Sequence, residues 1–194
     1  GTYIMRVPDL EKRRFILMGV IVSTVSPSIS ISQSVKQIGS NPLKPLIDAL
    51  RSINKLVCSD TADQLDISGN SQSYYDIHIR NAGLNTEDAT LITAGLEEVK
   101  FLAQPRLRSF SVSYNHAIGV AGVEGILASL PEIVQELGMV SCRLTDESAK
   151  PMINFLKRSK ALRMICVEDN LFSRSVKVEI KKAASHLPNC ITIV

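Results

Sequence analysis

Val134-Gln135-Glu136-Leu137-Gly138-Met139-Val140-Ser141-Cys142-Arg143-Leu144 and, 28 residues further on, Leu162-Arg163-Met164-Ile165-Cys166-Val167-Glu168-Asp169-Asn170-Leu171-Phe172 carry the same kinds of residue at the same offsets. Each stretch has an apolar residue, an apolar-x-apolar core three positions later, a small polar residue, and one more apolar side chain. Alternation of that kind is the mark of a half-buried strand. Self-similarity at a fixed period of about 20–50 residues is the mark of a repeat architecture.

Working outward, the same core stands at Ile77-His78-Ile79, Phe110-Ser111-Val112 and Ile191-Thr192-Ile193, so that successive cores lie 33, 27, 28 and 26 residues apart. Tyr74 and Leu107 precede the first two by three positions, Ala82 and Asn115 take the small-residue place, and Leu84 and Ile118 follow. Between the cores run apolar stripes at helical spacing: Ala89, Ile92, Leu96 and Val99; Val123, Ile126 and Leu130; Ala149, Met152 and Leu156; Val176, Ile180, Ala183 and Leu187. Single stripes of this width pack a helix against a sheet. Thr86 and Thr145 stand at the expected N-caps, each followed by acids, and Pro131 and Pro188 mark stops.

A strand plus a full helix per repeat, in the pattern L-x-x-L-x-L-x-x-N/C-x-L, resembles the ribonuclease-inhibitor-like subclass of leucine-rich repeat proteins over residues 74–194. The resemblance implies an α/β solenoid of horseshoe form, with parallel strands on the concave side, helices on the convex side and binding along the concave face. For Asn115, Cys142 and Asn170 it implies a structural task, satisfying backbone groups where the chain leaves each strand. Ala82 holds the same place and has no side chain for that task.

Residues 1–73 depart from the pattern and are expected to form an irregular N-terminal cap with degenerate repeats, since an array must cover its ends. Leu43, Leu46, Leu50 and Ile53 make a helical stripe, and Ser23 to Ser40 reads as Ser-rich and turn-like. Strands are candidates at Val20-Ile21-Val22, Leu56-Val57-Cys58 and Leu65-Asp66-Ile67. The last is either a repeat strand without its helix or a hairpin partner for Tyr75 to Ile79. Lys12 to Val25, a basic cluster followed by a short apolar run, has the outline of a secretory signal. It is too short to span a bilayer, lacks a clean small-x-small cleavage site, and is expected to be a buried strand.

With the apolar positions inward, the alternate residues face the concave side. They are Asp76, His78 and Arg80; Ser109, Ser111 and Ser113; Glu136, Gly138 and Val140; Met164, Cys166 and Glu168, with Tyr114 at the edge. This mixed polar lattice suits a specific interface with another protein. A net charge of +3 is too small to imply nucleic acid, and the late cluster of Lys and Arg has acids among it and no stacking aromatics. Four cysteines without a CxxC pair give no zinc signal and suit reduced thiols in the cytoplasm, or a host cytoplasm were the chain a secreted effector. Gly119, Gly122 and Gly125 are no phosphate loop, and no cofactor is expected.

Asp76, His78 and the nearby serines lack a nucleophile-elbow sequence, and His116 and His186 fall in a turn and near a helix end, so an enzyme is not expected. The alternative to a binding module is the regulatory or sensor portion of a larger protein, such as an immune receptor or bacterial effector, whose catalytic domain lies elsewhere.

Overall fold

A computed structural model describes residues 41–69 and 71–194. The readings of residues 12–25, of the strand at Val20-Ile21-Val22 and of residues 23–40 lie outside the described residues. In chain order come α1 (Lys44–Ser52), α2 (Leu56–Ser68), β1 (Tyr74–His78), α3 (Thr86–Val99), β2 (Arg106–Ser111), α4 (Gly119–Ser129) and β3 (Glu136–Gly138). A single 3-10 turn (Asp146–Ser148) then leads into α5 (Ala149–Arg158), followed by β4 (Met164–Cys166), α6 (Arg174–Ala184) and β5 (Ile191–Ile193). The strands form one open parallel sheet in sequential order, β1-β2-β3-β4-β5. Parallel neighbours need a long crossover, and each crossover here contains a helix.

Helices α1, α3, α4, α5 and α6 pack side by side in that order, while α2 lies against α1 and β1. The core sits between helices and sheet: Ile77, Phe110, Leu137 and Ile165 from the strands, with Ile92, Leu96, Val123, Ile126, Met152, Leu156 and Ile180 from the helices, all at most 2% exposed. The stripe Leu43, Leu46, Leu50 and Ile53 is buried as expected. Gly122 and Gly125 have a packing role, since a Cβ at Gly122 would stand 2.8 Å from the Cβ of Ala89 and one at Gly125 3.0 Å from Thr93 Oγ1. These two glycines let α4 lie close along α3.

The register differs from the sequence expectation at both ends. Thr192, not Ile191, pairs with Ile165, so Ile191 and Ile193 share the side of Met164 and Cys166. After the Pro188-Asn189 turn, with Asn189 at φ +60°, the residue in register is thus one place beyond the expected Ile191, and a one-residue slip exchanges the faces of a strand. At the other end Tyr75 is the buried residue and Tyr74 is 38% exposed. Tyr75 pairs with Leu107, and the register then skips Arg108 so that Asp76 meets Ser109.

Leu56-Val57-Cys58 and Leu65-Asp66-Ile67 are not strands; both belong to α2, which buries Cys58, Ala62 and Leu65 along one side. Neither the strand-without-helix nor the hairpin reading holds, because burial at steps of four and three selects a helix. The caps shift as well. Asn85, not Thr86, caps α3 in a reciprocal capping box with Asp88, and Thr145 precedes the 3-10 turn without a side-chain capping bond. In α6 the buried alanine is Ala184 in place of Ala183.

Strands β1 to β4 each leave the sheet through a turn tied to a neighbouring turn by one side chain. Asn115, fully buried, accepts from the N–H groups of Ala82 and Leu84 (both 3.0 Å) and donates to the carbonyls of Ile79 and Val112 (both 2.8 Å). Asn170 repeats the arrangement, accepting from Cys142 N (2.9 Å) and Leu144 N (3.0 Å) and donating to Met139 O and Val167 O (both 2.8 Å). Cys142 holds the place between them and donates its thiol to Val112 O (3.3 Å) and Val140 O (3.4 Å). Ala82 needs no such side chain, since Asn115 serves its turn.

Removing the Asn115 amide orphans several buried backbone groups, each costing about 1–3 kcal/mol. Asn115→Ala should therefore lower unfolding free energy by more than about 3 kcal/mol, whereas Ser111→Ala should cost about 1 kcal/mol or less. Urea denaturation of both checks the order, and a reversal would refute the turn assignment. Ile165→Ala, a deletion within the closed core, should cost about 2–5 kcal/mol, read from the same curves.

Candidate functional site

The sheet face turned away from the helices carries the alternate strand residues in three rows. One row is Asp76, Ser109, Glu136, Met164 and Ile191, and the next is His78, Ser111, Gly138, Cys166 and Ile193. Arg80, Ser113, Val140 and Glu168 continue the alternation beyond the strand ends. Adjacent strands lie about 4.8 Å apart, so neighbours in a row touch.

The expected residues separate into two sets. His78, Arg80, Tyr114, Glu136 and Glu168 are exposed, and Asp76, Ser111, Met164 and Cys166 are half-buried. Ser109 and Ser113 are buried, at 6% and 2% exposure, as is Val140 at 7%. These two serines belong to the floor and not to the contact surface. Ser109 Oγ lies 2.9 Å from His78 Nε2. Ser113 Oγ accepts from the N–H of Val140 at 3.1 Å and lies 3.1 Å from Ser111 Oγ. Gly138 leaves space for this network, because a Cβ there would stand 2.8 Å from Ser111 Oγ.

Charge is concentrated over the first three strands. The Arg108 guanidinium donates to both carboxylate oxygens of Asp76, through Nε at 3.0 Å and through its second nitrogen. This bond, with the charges of Asp76 and then Glu136 nearby, holds Arg108 above its ordinary pKa. The repeat spacing does not place Arg108 on this face, since it sets Tyr74 beside Leu107, whereas β1 is one residue short there. With no partner opposite, Arg108 leans onto Asp76. The signal was available: Arg108 occupies the slot of Gln135 and Arg163, and the chain before Ile77 has no match for it once Tyr75 is taken as the buried residue.

At the strand exits, the Arg80 guanidinium lies 5.4 Å from the ring centre of Tyr114, a cation–π contact. Tyr114 has φ +65°, a left-handed conformation that swings its ring to the edge of the face. Across β4 and β5 the character changes. Met164, Ile191 (59% exposed) and Ile193 (38%) present apolar surface. The mixed polar lattice expected on this face is thus corrected at one side by the register of β5.

The His78–Ser109 pair has the spacing of a base and a nucleophile, but Ser109 lies beneath the ring in the floor, and the Asp76 carboxylate is taken by Arg108. Among the described residues, no group of three or more His, Cys, Asp or Glu side chains is placed to hold a metal ion, and no helix is long and apolar enough to cross a membrane. None of the four cysteines is paired. No family model matches the chain, and no curated protein matches it.

Burial, then the Glu168 carboxylate, pushes the Cys166 thiol above its ordinary value. Burial pushes Cys58 further, to about 11, and raises Cys142. A thiol reagent should therefore modify half-buried Cys166 and Cys190 before Cys142 and Cys58. The rate at Cys166 should keep rising as pH passes 9, because a raised pKa delays the thiolate. Mass spectrometry of the partly labelled native protein reads the order, and early labelling of Cys142 would contradict its place in the turn.

Proposed function

We propose that residues 74–194 form a ribonuclease-inhibitor-like leucine-rich repeat solenoid, and that the chain works by binding another protein on the helix-free sheet face. The observation that carries this reading is the repeated strand–turn–helix unit with an amide or thiol bonded into its turns, joined to an open face that mixes charge with apolar surface. Residues 41–73, as α1 and α2, act as the cap of the first repeat. The function is recognition and not catalysis, in a reducing compartment such as the cytoplasm, a setting that four unpaired cysteines support.

The face suits a partner with two kinds of surface. Opposite β1 to β3 it presents charges that answer Asp76–Arg108, Glu136 and Arg80. Opposite β4 and β5 it presents an apolar segment for Met164, Ile191 and Ile193. Charged contacts of this kind set specificity and association rate, while a buried apolar group supplies much of the affinity.

Affinity capture from cells that express the chain tests the reading. Wild type is compared with a variant carrying His78→Ala, Arg108→Ala, Glu136→Ala and Glu168→Ala, whose fold is checked by thermal melting. A partner kept by wild type and weakened at least about tenfold by the folded variant is the expected result. A partner held equally by both would move the site off this face.

A further inference from the structure

The row of elements ends in two surfaces of opposite character, and we infer that they join copies of this chain head to tail. At one end lies α2. Its outer residues Leu56, Asp60, Asp63 and Ile67 follow at steps of four, three and four, and so form one stripe. Leu56 is 77% exposed and Ile67 85%, which sets bare apolar side chains at both ends of an acidic stretch.

At the other end lie α6 and β5. Helix α6 carries Arg174, Lys177, Lys181 and Lys182 against the single acid Glu179. Around it Leu171 is 66% exposed, Val178 60% and Ile191 59%. Strand β5 pairs only with β4, so among the described residues its outer backbone groups have no strand partner. The two ends of the sheet thus differ, since α2 lies beside β1 and no described strand or helix covers the outer edge of β5.

Exposed apolar surface rimmed by charge marks a contact site, and the charges decide which contact. Pairing α6 with α6 of a second copy would set cations against cations, and pairing α2 with α2 would set acids against acids. Only unlike ends combine apolar burial with attraction. The occupant of each end is the other end of another copy, and such a head-to-tail contact builds a ring or an open row according to the rotation between copies.

Sedimentation of the full chain over a concentration series, at low and high salt, reads this directly. The expected result is a mean mass that rises above the monomer with concentration at low salt and falls back at high salt. Asp60→Lys with Asp63→Lys, in which Asp66 still bonds Arg51, and Lys177→Glu with Lys181→Glu should each weaken association at least about tenfold. An equal mixture of the two variants should associate again. Leu56→Ser with Ile67→Ser removes the apolar contribution without changing charge, and should weaken association at every salt concentration. A wild-type chain that stays monomeric throughout, association indifferent to all three variants, or a mixture of the charge variants that stays apart would overturn the inference.

Discussion

The parallel sheet depends on how its strands end. A strand that leaves a parallel sheet and turns back into a helix exposes backbone N–H and C=O groups inside the layer, where no water reaches them, and each must find a partner. Asn115 and Asn170 answer that need with a single planar group, accepting from two N–H groups of the preceding turn and donating to carbonyls of both turns. The helices can then pack side by side because the turns that launch them are stacked. The core of Ile77, Phe110, Leu137 and Ile165 follows from that stacking.

Much of this was legible in the sequence because the constraint repeats. Leu137 and Ile165 recur at the same offset from Cys142 and Asn170, so one-residue errors in the middle of the array are exposed by the neighbouring copy. At the ends there is no second neighbour, and the reading failed there for that reason. Ile191-Thr192-Ile193 looks like a further apolar-x-apolar core, yet pairing places Thr192 beside Ile165. Tyr74 and Tyr75 are alike in kind, and only the pairing of Tyr75 with Leu107 separates them. The segment holding Leu56 and Leu65 was ambiguous because short apolar groups do not distinguish strand from helix; packing against α1 decides it.

The helix-free face was legible in outline and altered in composition by these same slips. Its serines sink into the floor because Gly138 leaves room for them, which no periodicity reports. Its apolar end arises from the displaced β5, and Arg108 enters it through the residue that β1 lacks. The face thus grades from ion-paired at one side to apolar at the other.

The substitution of a thiol for an amide in the middle turn has a mechanical meaning. Asn115 and Asn170 each fasten two turns through four short bonds, whereas Cys142 fastens its turn through two thiol contacts of 3.3 and 3.4 Å, and a thiol is a weak donor. The joint between β2 and β3 is thus held by backbone pairing, the Ser113–Val140 bond and a weak thiol clasp, where the joint on either side of it carries a full amide clasp.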